Sequence, residues 1–152
     1  MTEIKISFLG TGDGGSALRA STSIYIECDD GARFLVDSGS GNSALIAGSA
    51  LGFEACDFNQ ILLSHRHLDH SSGIPFIEFK RRISECSGMP LTVFGTEITL
   101  QTVEQMFKVG FPELDFHSDC ALTAEGQKVL RLRSALEGEY IQLGPDTRAV
   151  PF

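Results

Sequence analysis

The sequence predicts a single mixed α/β domain (α/β in the α+β sense) on three observations. Short apolar or alternating runs recur along it, as at Ile4-Lys5-Ile6-Ser7-Phe8 and Ile61-Leu62-Leu63, and read as strands. Between them lie stretches with apolar residues at helical spacing, such as Leu100, Val103 and Phe107. Gly- and Pro-rich clusters separate the two kinds of run. A chain of 152 residues suffices for one core, and no repeat, low-complexity tract or linker divides residues 1–152.

Taken in order, residues 3–9 place Ile4, Ile6 and Phe8 on one face of a first strand. Gly10-Thr11-Gly12-Asp13-Gly14-Gly15 follows as a flexible loop. It contains Gly-x-Gly-x-x-Gly, but a dinucleotide-binding turn needs a helix opening at the glycines, and the next strand, Ser23–Cys28, begins too soon for one. Asp29-Asp30-Gly31 reads as a hairpin turn, and Phe34-Leu35-Val36 as the returning strand. Asp37 closes that strand, either as an acceptor that orients a ligand histidine or as a turn or cap aspartate.

Residues 42–52 predict a helix closed by Gly52, although Gly48 is a weak helix former. A strand over 60–64 follows. Ser71 or Ser72 would cap the next helix, with Pro75 in its first turn and Ile74, Ile77 and Ile83 on its buried face. Leu91–Phe94 is a strand, and Thr96 to Val109 a helix stopped by Gly110 and Pro112. Residues 127–133 and 139–143 read as strands, and Arg148 to Phe152 begins another.

A net charge of −8 works against loose attraction to nucleic acid or anionic membrane. It leaves a phosphodiester substrate open, because bound dications would reverse the local sign. Lys80-Arg81-Arg82 reads as the solvated face of a helix. Cys28, Cys56, Cys86 and Cys120 form no Cys-x-x-Cys pair and read as buried or idle reduced thiols. The start of the chain lacks a secretory charge pattern and no apolar run is long enough to cross a bilayer, so a cytoplasmic protein without membrane contact is expected.

Chemistry concentrates in Ser64-His65-Arg66-His67-Leu68-Asp69-His70. Three of the four histidines of the chain stand in its last six residues, directly after an apolar strand. Alternation along an extended backbone would put His65, His67 and Asp69 on one side, and a turn near Asp69 would bring in His70. Imidazole nitrogens with a carboxylate oxygen suit zinc, and also iron or manganese. His65, His67, Asp69 and His70 are therefore the candidate metal ligands.

This His-x-His-x-Asp-His pattern after a strand resembles the metal-binding signature of the metallo-β-lactamase superfamily. Phe8-Leu9-Gly10-Thr11-Gly12, Arg19, Ser21-Thr22-Ser23 and the stretch from Ser64 through Pro75 look most like its tRNase Z and small phosphodiesterase branch. Ser16 departs from that branch, where a proline often follows the glycine turn. The resemblance implies a four-layer αββα sandwich, of which this chain would be roughly the N-terminal half. It implies two divalent ions, zinc first and manganese or iron next, with His65 and His67 on one and Asp69 and His70 on the other.

Three further ligands of the family's pattern have no obvious counterpart. His117 is the only other histidine and reads as a solvated loop residue. The run from Thr147 to Phe152 resembles the strand that leads into the third histidine, so that ligand is expected just beyond Phe152. The implied activity is hydrolysis of a phosphodiester, RNA among the possible substrates, by water activated on two cations, with Asp69 handling its proton. A thioester or lactam hydrolase on the same scaffold is the alternative, as is a non-catalytic metal-binding or scaffold fragment. An exposed inner sheet face would also make the chain a homo-oligomer.

Overall fold

Strand pairing in the computed structural model, which describes residues 3–86 and 88–150, builds one eight-stranded sheet and a two-stranded flap. The strands are β1 (Ile4–Gly10), β2 (Ser23–Cys28), β3 (Arg33–Val36), β4 (Gln60–Leu62), β5 (Leu91–Gly95), β6 (Asp115–His117), β7 (Cys120–Leu122), β8 (Lys128–Ser134), β9 (Ile141–Gln142) and β10 (Arg148–Ala149). The helices are α1 (Ser43–Ala50), α2 (Leu68–Ser71), α3 (Ile74–Ile83) and α4 (Glu97–Gly110). Sheet order is β1-β2-β3-β4-β5-β8-β7-β6, parallel from β3 through β8 and antiparallel outside that block. The parallel centre follows from the helices that connect β3 to β4 and β4 to β5.

Cross-strand register separates the two faces. Tyr25, Leu35, Ile61 and Val93 share one face and are fully buried against Ile74 and Ile77 of α3 and Val103 and Phe107 of α4. Gly48 in α1 has a packing reason: a Cβ there would stand 2.6 Å from Cζ of Phe58. The opposite face carries Ile26, Phe34, Val36, Leu62 and Phe94, covered by Ile141, Leu143 and Ala149 of the β9–β10 flap. The Asp30 carboxylate holds that flap, accepting from the backbone N–H groups of Asp146 and Thr147 at 2.8 Å each. Ile4, Ile6 and Phe8 continue the same face and remain 57%, 52% and 64% exposed, a bare apolar strip. A helix layer and an eight-stranded sheet are thus present, with the flap lying on the sheet's other side. No outer helix layer stands beyond that flap among the described residues.

Several sequence expectations are corrected. Ile83 is exposed, and the buried face of α3 runs through Glu78 and Arg81. Neither Ser71 nor Ser72 caps α3, which starts after Gly73 without a side-chain cap. The Ser71 hydroxyl instead donates to the carbonyls of Arg66 (3.1 Å) and His67 (2.9 Å). Arg81 is no solvated cation: its guanidinium is buried and donates to the carbonyls of Phe58 (3.0 Å) and Met89 (2.8 Å). Cys56 and Cys86 form a disulfide, while Cys28 and Cys120 are free. The glycine-rich loop is tied down, with Gly12 N–H donating to the Ala20 carbonyl at 2.8 Å. Of the final expected strand only Arg148–Ala149 pairs, and its last two residues lie outside the described residues. No helix is long and apolar enough to cross a membrane among the described residues.

Candidate metal centre

Parallel pairing of β3 with β4, with Val36 opposite Leu62, brings the carboxyl ends of both strands side by side. Asp37 leaves one end and Ser64 the other, the place where open α/β sheets put their sites. Asp37 has a left-handed backbone (φ 58°), which aspartate tolerates better than most residues. It is buried, and three donors reach its carboxylate. Ser64 N–H reaches Oδ1 at 2.8 Å, the Ser64 hydroxyl reaches Oδ2 at 2.8 Å, and His70 Nδ1 lies 2.7 Å from Oδ2. Of the two sequence readings of Asp37, the geometry selects the one that orients a histidine.

The metal motif is more bent than alternation predicts. Extended pairing stops at Leu62, and α2 begins at Leu68, so Asp69 and His70 come from a helical turn. That turn is seated by Ser38, whose N–H and hydroxyl both donate to the His70 carbonyl, at 2.7 and 2.8 Å. The result still gathers all four candidates. The His65 ring lies 4.6 Å from that of His67 and 4.1 Å from that of His70, centroid to centroid. Asp69 Oδ2 lies 3.2 Å from His70 Nε2.

The donor set fits a divalent cation in its chemistry. With His70 Nδ1–H given to Asp37, its Nε2 lone pair faces the Asp69 carboxylate, an opposition that a proton or a cation between them relieves. No three His, Cys, Asp or Glu side chains form a finished ligand group among the described residues. His117 does not complete one. It ends β6, the far edge strand, four strand positions from β4 and hence roughly 19 Å away at ordinary strand spacing. Its partner within reach is Asp115, at 4.0 Å.

Two contributors escaped sequence reasoning. Ser64 directly precedes the first histidine, and its hydroxyl lies 2.9 Å from His65 Nδ1. Gly14, in the loop after β1, lies against Asp69. A polar residue at the very end of a strand was the available signal for the first. Nothing local signals the second.

A family model described as the metallo-beta-lactamase superfamily matches residues 17–145. Ribonuclease Z of Methanococcus maripaludis (strain C7) is 32% identical over 118 residues, covering 74% of this chain and 36% of the relative. The chain therefore spans about a third of the length of the curated relatives it matches. Among solved structures, human tRNase Z, short form, superposes with a TM-score of 0.61 at 18% identity, covering 88% of this chain and 44% of that one. A diphosphatase from the PhnP family gives 0.63 at 18% identity, covering 93% and 54%. These two likenesses describe the fold. A family match that runs from β2 to β9, through the Asp37 turn and the histidine cluster alike, leaves one conclusion: the chain belongs to the metallo-β-lactamase superfamily.

Proposed function

We propose that this chain carries the metal-gripping part of a metal-dependent hydrolase that cleaves phosphodiesters, RNA among them. The observation that carries the reading is the gathering of His65, His67, Asp69 and His70, with Asp37 orienting His70. The ribonuclease Z names of its relatives favour a phosphodiester over the thioester or lactam alternatives of the same scaffold. His65 and His67 would hold one divalent ion, and Asp69 and His70 a second, zinc being the best match to these donors. When bound, such ions supply an activated water and stabilise the charge that develops on the scissile group.

The chain's own residues do the rest. Asp37 holds His70 in one orientation, and Ser38 anchors the turn that carries it. The Asp69 carboxylate stands at the cluster's edge, where it takes and returns a proton. The remaining ligands come, in this proposal, from outside residues 1–152, because His117 stands at the wrong edge of the sheet. Residues 1–152 alone then turn over little, and copies associate through the bare strip of Ile4, Ile6 and Phe8.

The test supplies zinc or manganese to the product of the full reading frame and compares a chromogenic phosphodiester with a thioester. Cleavage of the phosphodiester, with Asp69→Asn cutting kcat far more than substrate binding, supports the proposal. Cleavage of neither leaves a non-catalytic scaffold. Strong hydrolysis by residues 1–152, abolished by His117→Ala, would show the ligand assignment to be wrong.

A further inference from the structure

We propose that Ser64 is a positioning residue that sets the tautomer of His65, so that one carboxylate, Asp37, prepares two histidines at once. The inference rests on the metal reading above for its purpose, and on hydrogen-bond geometry alone for its content.

The Ser64 hydroxyl oxygen lies 2.8 Å from Asp37 Oδ2, 3.0 Å from Oδ1 and 2.9 Å from His65 Nδ1. A hydroxyl has one proton to give and lone pairs to receive with, whereas an ionised carboxylate only receives. The Ser64 proton is therefore committed to Asp37. What the oxygen offers His65 is a lone pair, and only a protonated Nδ1 satisfies it. His65 is thereby held as the Nδ1–H tautomer with Nε2 bare. A free histidine side chain prefers the reverse, so Ser64 overrides the intrinsic preference.

Asp37 acts on His70 directly, at 2.7 Å from Nδ1, and fixes a proton on that nitrogen. The two histidines are assigned above to different ions. One buried acid thus orients a ligand of each, directly in one case and through a hydroxyl in the other. Ser64 N–H also donates to Asp37 Oδ1 at 2.8 Å, which keeps the relay in register with the end of β4.

The experiment uses the 152-residue chain, stripped of metal and labelled with nitrogen-15. Long-range proton–nitrogen spectra at mildly alkaline pH, where neutral imidazole dominates, report the tautomer of each ring. In the wild type, His65 should carry its proton on Nδ1. Ser64→Ala should move His65 toward the Nε2–H form while the His70 pattern stays, and Ser64→Thr, which keeps the hydroxyl, should restore Nδ1–H. In parallel, zinc affinity measured against a chromogenic chelator should fall about 10- to 100-fold in Ser64→Ala and return in Ser64→Thr.

An Nε2–H His65 in the wild type overturns the proposal without any substitution. So does a Ser64→Ala chain with His65 unchanged. If Ser64→Ala fails to fold, Ser64→Thr decides, since loss of Nδ1–H despite a retained hydroxyl overturns the proposal and its retention supports it. A wild type with the expected tautomers that takes up no zinc supports the relay and counts against the metal reading instead.

Discussion

A Cβ placed on Gly14 would stand 2.9 Å from both the carboxyl carbon and Oδ2 of Asp69. The glycine-rich loop is therefore a wall of the candidate centre, and the contact is closer than real side chains make. Gly14→Ala should push the Asp69 carboxylate aside and lower zinc affinity, with little change in melting temperature. Gly15→Ala is the control, because its nearest neighbour outside the adjoining residues is Asp13 Oδ1 at 3.6 Å. Competition titration of the two variants checks this; equal affinities would show that the loop does not position Asp69.

The Asp37 carboxylate joins Ser64 to His70. Asp37→Ala strands the Ser64 N–H and the His70 Nδ1–H, at a cost of about 2–3 kcal/mol in stability. It should also lower metal affinity about 10- to 100-fold. Asp37→Asn should lose less stability, since asparagine also accepts a left-handed backbone and keeps one acceptor oxygen. Denaturant unfolding and zinc titration of both variants separate the two effects.

Glu78 is buried within α3, and burial pushes its carboxyl up to about 7 against the opposing pull of Arg82. The folded state then holds a proton that the unfolded state releases near pH 4.5. Its contribution is fully present below that value and is lost as pH rises to about 7, a change on the order of 3 kcal/mol. Glu78→Gln should flatten stability across that window. Unchanged pH dependence in chemical denaturation would rule out this carboxyl as its source.

The Cys56–Cys86 disulfide closes 30 residues of chain and ties the turn before β4 to the segment after α3. Reduction, or Cys56→Ser, should lower stability by about 3–4 kcal/mol by freeing the unfolded chain. The same segments hold the carbonyls that receive Arg81, so the reduced chain should remain folded. A denaturant midpoint that does not move on reduction would contradict the cross-link.

Local pattern carried much of this protein. Alternation at Ile4, Ile6 and Phe8, spacing at Leu100, Val103 and Phe107, and the density of donors from His65 to His70 each depend on neighbours within a few residues. Such information survives in a string of letters, and so β1 to β5, β8, α4 and the histidine cluster were legible, whereas the short edge strands β6 and β7 were not. Even there, burial was not: Ile4, Ile6 and Phe8 share a face as expected, but nothing among the described residues covers it.

Tertiary structure alone decided the contacts that cross the chain. Asp37 meets His70 over 33 residues, Asp30 meets Thr147 over 117, and Arg81 meets Phe58 over 23. Parallel pairing of β3 with β4 is what sets Asp37 beside Ser64, and edge pairing of β6 is what removes His117 from the cluster. The physical reason is that hydrogen bonds depend on distance and direction in space. Periodicity specifies which face a residue occupies, while only the packed sheet specifies what stands opposite it.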